Sequence, residues 1–129
     1  MILALCLGAA RGAAEAALPV RDFTLAWTHS VEKIAWEEDW RVLDDGRLTV
    51  TAARVRGSGA GMEPPADAVL VDGAWTYRPE LPPQTALHLT RSHFTADYRL
   101  CWQGGCVALD RLIPVAEDGA VTLAWGCRR

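Results

Sequence analysis

Residues 23–31 read FTLAWTHSV. Phe23, Leu25, Trp27, His29 and Val31 fall at every second position, so they share one face of an extended chain. An amphipathic helix would need apolar residues at i, i+3, i+4 and i+7, and no long helical period appears anywhere in the chain.

The period of two continues outward. Trp40 and Val42 take one side and Arg41 the other, and Asp44-Asp45-Gly46 then marks a hairpin turn. In RLTVTAARVR (47–56), Leu48, Val50 and Ala52 share a face before the parity slips to Ala53 and Val55, which predicts a bulge near Ala52. AVLVDGAWTYRP (68–79) predicts a second hairpin turning at Asp72-Gly73. TALHLTRS (85–92) turns Leu87 and Leu89 inward, and DYRLCWQGGCVALDRLI (97–113) puts Tyr98, Leu100 and Trp102 on one face. The last strand follows Asp118-Gly119 and carries Val121, Leu123, Trp125 and Cys127 on one face. Short strands recur with turn residues between them. The fold class expected is all-β, a single antiparallel sandwich or partly closed barrel of about eight strands. Pro64-Pro65, Pro79 and Pro82-Pro83 mark loops that cannot join a central ladder.

The bulk numbers agree. The chain has 129 residues, half of them hydrophobic and 22% charged, which fits one packed domain. Six tryptophans supply the large buried areas that a small domain needs. The formal net charge of -3 excludes an electrostatic grip on nucleic acid, and no basic cluster suggests a membrane-surface patch.

The N-terminus differs in kind. Residues 2–10, ILALCLGAA, are apolar and too short to span a bilayer. Their length suits the core of an export signal, and Ala14-Glu15-Ala16 suits small-x-small cleavage. That reading divides the chain into a leader, 1–16, and a domain, 17–129, with a periplasmic mature form that does not span the membrane. No Lys or Arg precedes the apolar run, and the competing reading makes it a first strand or short helix of the fold.

A turn at Gln103-Gly104 sets Cys101 opposite Cys106, a cross-strand pair within disulfide reach. In an oxidising compartment the bridge forms, and in the cytoplasm both remain thiols. Cys127 is left as a buried thiol or a second redox group. The cysteines lack the CxxC repetition of a zinc site, so neither a metal nor a cofactor is expected.

Three stretches offer chemistry. In WTHSVEKIAWEEDW (27–40), His29 shares a face with Trp27 and Val31, while Ser30 and Glu32 point the other way. That parity weakens a Ser-His-acid arrangement and favours a satisfied core histidine. Glu37, Glu38 and Asp39 lie between Trp36 and Trp40, either as a solvated strand edge or as an acidic, aromatic rim for a cation. In RVRGSGAGMEPP (54–65), Gly57, Gly59 and Gly61 let a backbone pass close to a second sheet or to a ligand held by N–H groups, with Arg54, Arg56, Ser58 and Glu63 alongside. It lacks the Gly-Lys-Ser/Thr of a phosphate loop and the G-x-S-x-G of a nucleophile elbow. His93 and Asp97 have the wrong spacing for a compact metal site.

FTLAWTHSVEKIAWEEDWRV (23–42), the RGSGAGMEP loop (56–64) and FTADYRLCWQGGC (94–106) together resemble a bacterial family known as domain of unknown function 1850. The resemblance implies a small, exported protein, often encoded beside tripartite transporters of the TAXI subgroup of TRAP systems. His29, Ser30, Glu32, Glu38, Ser58, Gly59, Gly61 and Glu63 match its characteristic segments. The first functional expectation is a non-enzymatic periplasmic accessory protein that contacts the membrane or solute-binding subunit of such a transporter. The second is a binding module for an organic anion, built from the Gly57–Glu63 loop and the His29 strand, with Arg54 or Arg56 meeting the anion. A hydrolase using Ser30 or Ser58 ranks last, since neither has an adjacent base.

Overall fold

The computed structural model describes residues 1–28, 34–57 and 64–129. They form eleven strands: β1 (Leu3–Gly8), β2 (Ala16–Leu18), β3 (Asp22–Thr28), β4 (Ala35–Val42), β5 (Leu48–Arg56), β6 (Val69–Val71), β7 (Ala74–Tyr77), β8 (Leu87–Thr90), β9 (Arg99–Trp102), β10 (Gly105–Ala108) and β11 (Val121–Arg128). A single 3-10 turn, Leu109–Arg111, follows β10, and no described helix is long and apolar enough to cross a membrane.

The strands make two antiparallel sheets. The larger runs β10-β9-β3-β4-β5-β7-β6 and the smaller β2-β1-β11-β8. Neither closes into a barrel, so of the two architectures expected the sandwich is the one formed. The strands beyond the expected eight include β1 and β2, which lie in or next to the segment read as a leader.

Alternation builds the interior between the sheets. Phe23 and Leu25 of β3, Trp40 and Val42 of β4, Leu48 and Val50 of β5, and Leu100 of β9 pack against Leu5, Leu7, Leu89 and Ala124 from the smaller sheet. The ladder of β4 and β5 shifts register between Asp39 and Trp40, where Asp39 faces Ala52 and Trp40 faces Val50. The extra residue is the bulge expected near Ala52. It explains the parity slip, because Ala53 and Val55 stay buried on the face that Leu48 and Val50 began. Two turns need left-handed backbone at both central positions: Asp72-Gly73 (φ 48° and 80°) joins β6 to β7, and Gln103-Gly104 (φ 51° and 81°) joins β9 to β10.

β11 turns its small residues to the core. Thr122 and Ala124 are buried opposite Leu89 and Leu87 of β8, and Ala124 and Gly126 lie opposite Leu7 and Leu5 of β1. Small residues are required on this side because the β4–β5 turn approaches closely. Gly126 N–H donates to the Gly46 carbonyl at 3.0 Å, and a Cβ at 126 would collide with that carbonyl and with Val42. Leu123, Trp125 and Cys127 therefore face away from the inter-sheet core.

Leu3–Gly8, the apolar run of the presumed leader, is an interior strand of the smaller sheet, paired with β11 and β2. Cys6 on β1 is bonded to Cys127 on β11. This corrects the reading of Cys127 as a free thiol. Sequence alone leaves Cys127 without a partner because Cys6 lies in the segment read as a leader. Cys101 and Cys106 face each other across β9 and β10 and form the expected bridge.

Candidate functional site

Strand direction sorts the connections to two ends of the sandwich. Thr28 of β3 pairs with Ala35 of β4, and Ala35 pairs with Arg56 of β5. These residues stand in one row at one end, and that row flanks both segments singled out by sequence. His29, Ser30, Glu32, Ser58, Gly59, Gly61 and Glu63 themselves lie outside the described residues.

Other elements reach the same end. Ala26 of β3 pairs with Arg99, which puts the start of β9 and the 91–98 connection there. Thr90 pairs with Val121, so β11 begins there. Val55 pairs with Trp75 and an Arg56 amine donates to the Asp72 carbonyl, so the β6–β7 turn is there as well. Much of the apolar surface that the fold leaves exposed is on this end or beside it. Phe94 is 86% exposed, and Val69, Leu70 and Val71 of β6 are 49–62% exposed. β6 is the last strand of the larger sheet, with β7 on one side and no strand on the other among the described residues.

The acidic run is divided by strand parity. Glu37 and Asp39 point to the outer face of the larger sheet and meet arginines of β5. Arg54 holds Asp39 through two N–H groups at 2.7 and 2.8 Å, Thr24 adds a hydroxyl at 2.7 Å, and Arg56 pairs with Glu37 at 3.1 Å. The Arg54 bonds, assisted by Thr24 and opposed by partial burial, hold the Asp39 carboxyl below the usual carboxylate range. β4 is the central strand of seven, so these charges do not guard a strand edge as one reading supposed. They cross-link neighbouring strands.

Glu38 faces inward. It pairs with Leu25 and Ala53, and it shares a side with Trp36 and Trp40. Burial raises its pKa, only partly offset by the Trp40 indole N–H, which donates to Oε1 at 3.2 Å. Around it stand aromatic rings. Trp27 and Trp36 are parallel within 9° at 6.0 Å, and Tyr98 tilts against Trp27 at 6.1 Å. The Tyr77 and Tyr98 phenols are raised by burial first, with the Glu38 charge adding to both. A cavity of about 270 Å3 opens onto Leu25, Trp27, Glu38, Leu87, His88, Leu89 and Tyr98. Trp36 Nε1 is buried with no hydrogen-bond partner among the described residues.

The 91–98 connection is fixed by a buried cation. Arg91 is 2% exposed; it forks onto Asp97 at 2.8 and 2.9 Å and donates to Thr122 Oγ1 and the Ile113 carbonyl, both at 2.9 Å. Asp97 is therefore an ion-pair partner. His93 instead meets Asp118 at 3.1 Å, and no cluster able to hold a metal occurs among the described residues.

Sequence reasoning missed Trp27, Tyr98 and the inward turn of Glu38 as one group, because it took residues 37–39 as a block. The parity of Trp36, Glu38 and Trp40 on a strand carried the signal.

A two-sheet antiparallel sandwich defines a structural class with no fixed activity. Within that class the chain belongs to the DUF1850 family: the model described as "Domain of unknown function (DUF1850)" matches residues 23–109. That span runs from β3 through the start of the 3-10 turn and includes the whole larger sheet except the first residue of β3. No curated protein and no solved structure matches the chain.

Proposed function

We propose that the protein is a non-enzymatic accessory protein outside the cytoplasm, acting by protein contact through the end of the sandwich that carries β6 and Phe94. The observation that carries this reading is β6 itself. Val69, Leu70 and Val71 are exposed on an edge strand. An unpaired edge with apolar side chains is a template for a partner's strand, with main-chain hydrogen bonds supplying affinity and side chains selectivity. Two disulfides support an oxidising compartment. The family resemblance supports a TAXI-type TRAP transporter as the partner, through its membrane or solute-binding subunit.

Co-purification from membranes in mild detergent tests the proposal. Wild-type protein recovers a transporter subunit. The variant Leu70→Pro loses it, because Leu70 pairs with Trp75 one step beyond the Val71–Ala74 pair that closes the turn and so turns its N–H away from β7; Pro removes that edge N–H and the contact side chain, while the melting temperature stays near wild type. Recovery of neither subunit by the wild type contradicts the reading.

An organic-anion module remains the second reading. Its support is the shared row Thr28, Ala35 and Arg56, which flanks the His29 and glycine segments. Against it, Arg54 and Arg56 already pair with Asp39 and Glu37. A thermal-shift panel of carboxylates decides it: a ligand at 100 times its Kd adds about 2.7 kcal/mol, and a flat panel removes it.

A further inference from the structure

We infer that the cavity between β3, β4, β8 and the end of the 91–98 connection is a binding site for a small organic ammonium compound, with Glu38 as its counter-ion and Trp27 and Tyr98 as its aromatic walls. The inference is independent of the contact reading, which concerns the edge and tip of the sandwich.

Four observations lead there. A carboxylate on the inward face of a central strand is costly unless something compensates it. The Trp40 indole satisfies one oxygen of Glu38, and among the described residues no cation pairs with either. The neighbouring acids Glu37 and Asp39 both have arginines, so Glu38 alone of the run is left without one among the described residues. Burial raises its pKa, so a cation placed beside the carboxylate would offset a desolvation cost that nothing but the Trp40 indole now offsets among the described residues.

The walls have complementary chemistry. Trp27 and Tyr98 line the same cavity as Glu38, and aromatic faces attract cations within about 6 Å of the ring centroid. Leu25, Leu87 and Leu89 complete an apolar lining that suits the methyl groups of an alkylated nitrogen better than a hydrated metal ion. An anion would meet the Glu38 charge directly. The other titratable groups at the cavity are the Tyr98 phenol, which burial raises, and His88, which sits on the exposed side of β8. At about 270 Å3 the space falls below the roughly 300 Å3 at which drug-sized pockets begin, so the ligand is small.

The probe is choline chloride, compared with 3,3-dimethylbutan-1-ol, which has the same shape and no charge. Titrations are followed by the indole N–H signals of Trp27 and Trp40 in two-dimensional NMR. The expected result is saturable shifts with choline and binding about tenfold or more weaker for the neutral alcohol, the scale of one desolvated cation–π contact. Glu38→Gln is expected to weaken choline binding and reduce the preference to what the aromatic walls alone supply, while leaving the melting temperature at or above wild type. A nuclear Overhauser contact between the choline methyls and the Trp27 ring places the ligand independently of any variant. Equal binding of the two probes, or no saturable shift with choline, overturns the inference. So does association with phosphatidylcholine vesicles without a response to free choline, which would assign the chemistry to a lipid surface.

Discussion

Removing the two disulfides separately is expected to cost very different amounts of stability. Cys6 and Cys127 are 121 positions apart and tie the first described strand to the last, whereas Cys101 and Cys106 are five apart and close one tight hairpin. In the chain-entropy treatment, the long bridge restrains the unfolded ensemble by about 5 kcal/mol and the short one by about 2 kcal/mol. For a chain of 129 residues, total stability is on the order of 6–19 kcal/mol, so the long bridge alone is a sizeable share. Alanine is the replacement of choice, because Cys6 is fully buried and a serine hydroxyl there would need a partner. Urea unfolding of Cys6→Ala/Cys127→Ala and of Cys101→Ala/Cys106→Ala, both without reductant, gives the two free-energy losses. The first is expected to exceed the second by about 3 kcal/mol. A chain starting at Ala17 lacks Cys6 and all of β1, so it is expected to lose more than the first double variant. Equal losses from the two double variants, or a first variant within about 1 kcal/mol of wild type, would refute the reasoning, since the loop-length dependence would be absent.

Three further outcomes follow from the packing. Gly126→Ala drives a methyl group into the Gly46 carbonyl and Val42, and chemical unfolding is expected to show a loss of about 3 kcal/mol, whereas Gly104→Ala has open space around it and is limited to backbone strain. Arg91→Met leaves Asp97 beside a buried apolar site and is expected to cost about 3–5 kcal/mol, much of it recovered when Asp97→Asn is added, as a double-mutant cycle would record. Glu38 and Asp39 are expected to act oppositely with pH. The Glu38 carboxyl is raised in the folded state, so its favourable contribution is complete below its unfolded pKa and is lost as pH rises through the folded value. Asp39 is lowered, so its contribution is present above its unfolded pKa and is lost as pH falls through the folded one. Glu38→Gln therefore stabilises at pH 7 and gains nothing near pH 4, while Asp39→Asn destabilises at pH 7, as urea midpoints at the two pH values report.

Much of the fold was legible because a half-buried strand writes its faces in a period of two. The Phe23-Leu25-Trp27 face, the bulge near Ala52, the turns at Asp72-Gly73 and Gln103-Gly104, and the Cys101–Cys106 bridge all came from spacing alone. Periodicity does not say which face is inward, and on β11 it leaves that choice open. Its large residues, Leu123 and Trp125, face away from the inter-sheet core, and the close approach of Gly46 leaves no room for a side chain at Gly126 on the inner side. The N-terminal strand stood as only one of two readings for another reason. LALCLG is buried on both faces, so it shows no alternation, and a short continuous apolar run reads equally as an export signal. The site was legible in parts only. Glu38 was singled out, but its separation from Glu37 and Asp39 depends on β4 being central, and the role of β6 depends on its being an edge. Sheet order is a tertiary fact with no local signature.

Site-specific photocrosslinking in cells tests the central claim most directly. A benzoylphenylalanine replaces Leu70 or Phe94 at the β6 and 91–98 end, and Asp45 or Gln103 at the opposite end. Adducts with a transporter subunit are expected from the first pair and none from the second. Adducts from Asp45 and Gln103 alone, or from neither pair, would contradict the assignment of the contact surface.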